Sequence, residues 1–143
     1  MATRIWRGDQ AAYKQVTTIT VSGTWATADT ATLTINDKDL TVTVGTETTT
    51  TNIATILSLM VNGTAVSSDE TRNTTGNLLG EWNGITASSL GAVLTLTADT
   101  YGEPFTVTAT ETTAGDGALG SPSTTTSPAG PNELGADNVT GGS

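Results

Sequence analysis

The side chains of this 143-residue chain that are able to do chemistry are few acids, very few bases and many hydroxyls. Asp37, Asp39 and Asp99 carry the hard oxygens that calcium takes, but no D-x-D-x-D-G loop surrounds them, and acids in a hairpin turn ordinarily serve as solvated turn formers. Serine and threonine nucleophiles need an activating base, and the chain has no histidine, no G-x-S-x-G elbow and no S-x-x-K arrangement. A carboxylate pair can cleave glycosides, but a sugar site wants aromatic platforms. The aromatic residues are Trp6, Trp25, Trp82, Tyr13, Tyr101 and Phe105, and packing claims at least two of them. The expectation is a non-enzyme with no catalytic, cofactor or metal residues.

Short motifs add little. Arg7-Gly8-Asp9 is the integrin tripeptide, which arises easily by chance and needs supporting context. Asn62, Asn73 and Asn138 open glycosylation sequons in a chain so rich in threonine that accidental matches are expected. A Lys–Asn isopeptide crosslink using Lys14 or Lys38 beside an acid such as Glu111 is chemically conceivable, without a specific signature.

Charge and composition exclude whole classes. Fourteen acids against five bases leave a net charge of −9. Nucleic-acid binding needs clustered Lys and Arg, so it is not expected, and neither is an anionic membrane surface. No apolar run approaches the ~20 residues that span a bilayer. Without cysteine there is no disulfide, thiolate metal site or redox motif. The opening MATRIWRGDQ has no hydrophobic signal region, so the expected route is synthesis in a host cytoplasm and release by lysis.

Three segments divide the chain. Residues 1–15 form an N-terminal arm that holds Arg4, Arg7 and Lys14, three of the five bases, together with Ile5 and Trp6. Residues 16–113 carry nearly all the periodic apolar pattern and form the globular domain. Residues 114–143 are a Gly/Pro/Ser/Thr-rich tail, expected to be extended, because its few bulky groups cannot offset the entropy of ordering it. Threonine, a strand former, supplies about a quarter of all residues.

Period-two alternation predicts strands over residues 16–21, 31–35 and 40–44, the last two joined by a hairpin across Asn36-Asp37-Lys38-Asp39. Ile53, Ile56, Leu57, Met60 and Val61 then form one helical stripe over residues 52–62, capped by Thr51 or Asn52 and ended by Gly63. Residues 67–80 are polar and ambiguous, with Leu78, Leu79 and Trp82 placed to pack them down. A short strand follows at residues 85–87. A second hairpin is predicted across DTYGEP, with Leu94, Leu96 and Ala98 answered by Phe105, Val107 and Ala109. The expected fold is α+β and β-dominated, a sandwich of about six mostly antiparallel strands with one helix packed on one face.

The stretches "ADTATLTINDKDLTVTVGTETTTTNIATIL" and "AVLTLTADTYGEPFTVTATETTAGDG" together resemble a β-rich module of bacteriophage virion proteins. MATRIWRGD with the later QVTTITV is similar to the N-terminal regions of phage and environmental bacterial surface proteins. The likeness covers roughly residues 1–117, with Asp37 where a turn glycine is usual. It implies a structural role in the virion, most simply a capsid decoration (cement) protein that bridges major capsid subunits. The alternatives are a tail or head-fibre subunit, or a host- or carbohydrate-binding surface module. The implied partners are the major capsid protein and copies of itself. The arm residues Arg4, Ile5, Trp6 and Arg7 are the expected anchor, since a tryptophan flanked by guanidinium groups has the makeup of an interface hot spot.

Overall fold

A computed structural model describes residues 11–64, 71–72 and 82–129. Along the chain these form β1 (Val16–Ser22), β2 (Thr30–Ile35), β3 (Lys38–Thr43), α1 (Thr50–Val61), β4 (Thr71–Arg72), β5 (Ile85–Leu90), β6 (Val93–Ala98), β7 (Val107–Thr112), β8 (Ala118–Leu119) and β9 (Ser123–Thr126). Two antiparallel sheets result. One has the order β5-β6-β1, with β8 and β9 both pairing the far edge of β1, and the other has the order β4-β3-β2-β7. The chain is therefore a β-dominated α+β protein with one helix, as the periodicity predicts.

Alternation decides which face of each strand is buried. Ile19 from β1, Leu33 and Ile35 from β2, Leu40 and Val42 from β3, and Leu94 and Leu96 from β6 are all fully buried between the layers. Helix α1 lies against β5, β6 and β1, and the predicted stripe Ile53, Ile56, Leu57, Met60 and Val61 is its buried side. Its start lies slightly earlier than predicted. Thr49 is the N-cap, its hydroxyl accepting the Asn52 N–H. The end is a Schellman arrangement, with Gly63 at φ +70 donating to Met60 and Thr64 donating to Leu59.

The β2–β3 loop is tighter than predicted. Ile35 pairs with Lys38, so only Asn36 and Asp37 turn the chain, both at positive φ (+49 and +63) as a type I′ turn requires.

The predicted second hairpin does not form. Strand β6 pairs with β5 and β1, whereas β7 pairs with β2 in the opposite sheet. The true hairpin is β5–β6, through Gly91-Ala92 with Gly91 at φ +57, and β5 extends to Leu90. The DTYGEP segment is instead a crossing between the sheets. Pro104 has no N–H to give a ladder, and the backbone of Phe105 is engaged by a side chain, Gln15. Both pairings bury the same apolar face, so alternation alone does not distinguish them.

The domain also extends past residue 113. Strand β8 pairs with Val21 and Ser22, β9 pairs with residues 16–18, and Leu119 is buried. These residues need no core of their own, because β1 offers an open edge whose backbone groups require partners. Gly117 passes so close under the Trp25 ring that a Cβ there would sit 2.9 Å from it.

The outer face of the second sheet is a grid of hydroxyls. Register sets Thr43, Thr30 and Thr112 in one row, Thr41, Thr32 and Thr110 in the next, and Asp39, Thr34 and Thr108 in a third. Thr32 and Thr41 share a hydrogen bond of 2.8 Å, and the Thr34 hydroxyl donates to Asp39 at 2.6 Å. Such cross-strand pairs support the sheet itself.

Candidate functional site

At one end of the sandwich a cavity of about 240 Å³ opens between the β2–β3 turn, the 99–105 crossing and the start of β5. Trp82, Ile85, Ala98, Pro104 and Phe105 supply its apolar lining. Asn36, Lys38 and Glu103 supply the polar groups, so the described walls offer one carboxamide, one ammonium and one carboxylate. Gly84 also lines it, and a side chain built there would meet nothing within 4 Å.

Carboxamides fix the crossing that walls this cavity. Buried Gln15 donates through Nε2 to the Phe105 carbonyl at 2.8 Å and accepts the Phe105 N–H through Oε1 at 3.0 Å. One amide thus satisfies both backbone groups of a buried residue, as a neighbouring strand would. Asn36 treats the next residue similarly, its backbone N–H donating to the Thr106 carbonyl at 3.1 Å and its Oδ1 accepting the Thr106 N–H at 3.0 Å. The Trp82 indole N–H donates to the Ile35 carbonyl at 3.3 Å, so its buried ring cannot rotate freely within the wall.

Beside the cavity, Tyr13 and Tyr101 are about half exposed, and the Lys14 ammonium lies 5.3 Å from the Tyr101 ring centroid. The Tyr13 carbonyl accepts N–H groups from Gly102 and Ala129, and the Tyr13 N–H donates to the Ala129 carbonyl at 2.8 Å. The described chain therefore enters and leaves the domain side by side, at this same end.

The opposite end is tied by carboxylates. Buried Asp29 accepts N–H groups from Ala26 (2.8 Å) and Ala114 (2.9 Å), and exposed Asp116 accepts the Thr24 N–H at 2.8 Å. That backbone hydrogen bond from Thr24 holds the Asp116 carboxyl below its ordinary value. Gly23 approaches the Asp116 carbonyl so closely that a Cβ would lie 1.9 Å from it.

The sequence-predicted candidates fare unequally. Arg4, Ile5, Trp6 and Arg7, with the Arg7-Gly8-Asp9 tripeptide, lie outside the described residues, as do Asn73 and Asn138. Asp37 sits in the turn, Asp39 takes the Thr34 hydroxyl and Asp99 takes the Thr86 hydroxyl. These acids do not converge: among the described residues no three acidic side chains gather to hold a metal ion. The Asn62 carboxamide is committed to the N–H and carbonyl of Ala87, both at 2.8 Å, and so serves the fold. Lys38 stands opposite Ile35, which itself faces Val107, while Glu111 is four residues further along β7, ~13 Å at strand rise. Glu111 instead accepts the Leu119 N–H. Lys14 lies over Tyr101 at the cavity end, so neither predicted crosslink is brought together.

Gln15 and the cavity it supports were not legible beforehand. Gln15 reads as the last polar residue of the arm, and only its position just before a strand hints otherwise. Among the described residues no helix is long and apolar enough to cross a membrane. The sequence matches no protein-family model and no curated protein.

Proposed function

We propose that this chain is a structural component of a phage virion, a capsid decoration protein that stabilises the shell by contacting major capsid subunits and copies of itself. One observation carries the reading furthest. The Tyr13–Ala129 pairing delivers the segments before and after the domain from a single corner, beside the half-exposed Tyr13 and Tyr101. A sandwich with both chain ends at one corner is well arranged to hold neighbours while its threonine-covered faces meet water or flat contacts. The family resemblance of the two hairpin-like stretches supports the same assignment.

Copy number tests it. Quantitative mass spectrometry of particles carrying this chain should find it at an abundance near that of the major capsid protein. A few copies per particle would point to a tail or head fibre, and absence from the particle would end the virion reading.

A further inference from the structure

The cavity is sized for one bulky side chain. Its 240 Å³ fall below the ~300 Å³ at which pockets for drug-sized ligands begin. Two aromatic residues and a proline line it, a setting in which an aromatic guest gains both buried area and ring–ring contact. Acids prevail in the segments that build it. Asp37 and Asp39 flank Lys38, Asp99 follows Ala98, and Glu103 is part of the wall. The complementary guest is an aromatic residue between cations, and the chain contains one, Arg4-Ile5-Trp6-Arg7.

We infer that Trp6 of one copy enters the cavity of a second copy, with Arg4 and Arg7 facing Glu103 and its acidic neighbours. The direction of the chain favours a second copy over the same one. The Tyr13–Ala129 pair keeps the register of Val16 with Thr126, so residues 11–13 continue the line of β1 and β9 off the end of the sheet. Four residues, 7–10, separate Trp6 from Ala11, and a β-turn alone takes four. A chain that reversed there would have no length left to cross the 99–105 segment to its own cavity. An arm that runs on reaches up to ~17 Å beyond Ala11, into a neighbour. The contact is heterologous, arm to cavity, and propagates around a ring or along an array. It stands independently of the virion reading, because donor and receptor are both on this chain.

Complementation between two full-length variants tests it. Trp6→Ala keeps the cavity and loses the guest. Gly84→Leu keeps the guest and fills the cavity from a position where a side chain meets no neighbour within 4 Å. In sedimentation velocity over a concentration series, the wild type should self-associate, and each variant alone should do so at least tenfold more weakly. A mixture of the two should recover a one-to-one complex. Glu103→Lys, which leaves the apolar lining intact, should also weaken association at least tenfold, and salt should weaken the wild type. Undiminished association of Gly84→Leu or Glu103→Lys, a mixture that stays monomeric, or a wild type that is monomeric throughout would each overturn the inference.

Discussion

At the cavity end, Gln15 takes both the N–H and the carbonyl of Phe105 through one carboxamide, whereas at the opposite end Asp29 takes two N–H groups through one carboxylate. The chemistry of each group dictates where it can be used. A carboxamide both donates and accepts, so it can stand in for a missing strand inside the protein without bringing a charge. A carboxylate accepts only and is costly to desolvate. Its partners here, Ala26 and Ala114, lie on exposed loop residues, while Phe105 is buried. The two ends are closed with similar numbers of bonds, yet water can repair only one of them.

Removing each clamp should expose that asymmetry. Gln15→Ala strands both backbone groups of a buried residue, at roughly 1–3 kcal/mol each, so a loss of about 3 kcal/mol is expected in denaturant unfolding. Asp29→Ala frees two N–H groups that solvent can reach, and a loss of about 1–2 kcal/mol is expected. Equal losses, or a larger one at Asp29, would mean that the loops at its end are less hydrated than their exposure implies.

The legible part of the fold is the part that periodicity controls. Leu33, Ile35, Leu40 and Val42 announce an inward face, and Ile53, Ile56, Leu57, Met60 and Val61 announce a helix, because burial imposes a period on the side chains. Strand partners follow a different rule. Leu94 and Val107 alternate convincingly, but the pattern that buries them is the same whether β6 meets β7 or each joins a different sheet. Residues 118–119 and 123–126 were hidden for a related reason: a strand added to an open edge is held by backbone groups that every residue carries. The cavity was partly legible, since Trp82 and Phe105 were expected to pack. Gln15 was not, because an amide gains its role only when tertiary structure brings a lone strand segment within its reach.

The turn beside the cavity sharpens the comparison in the other direction. Asp37 holds φ +63, which costs a residue with a Cβ and costs glycine little. Asp37→Gly should therefore stabilise the protein by about 0.5 kcal/mol, the gain being reduced by the greater freedom of glycine in the unfolded chain. Equilibrium unfolding measures it. Destabilisation would show that the Asp37 side chain makes a contact worth more than the left-handed backbone costs.

The smallest effect belongs to Asp116, and it is the one that pH can isolate. Its carboxyl is fully exposed and held below the ordinary 3.8 by the Thr24 N–H, so its ionised form is favoured in the folded state. The stabilisation is complete above the unfolded value and disappears as pH falls through the lower folded value. Between pH 5 and the strongly acidic range, the Thr24 amide resonance should titrate with a midpoint under 3.8, and the melting temperature should fall slightly more for wild type than for Asp116→Asn. The amide-clamped end has no corresponding carboxylate on Phe105 or Thr106, so their resonances should not follow the Asp116 titration. If Thr24 titrates at or above 3.8, the carboxylate is not holding the turn, and the contrast between the two ends rests on Asp29 alone.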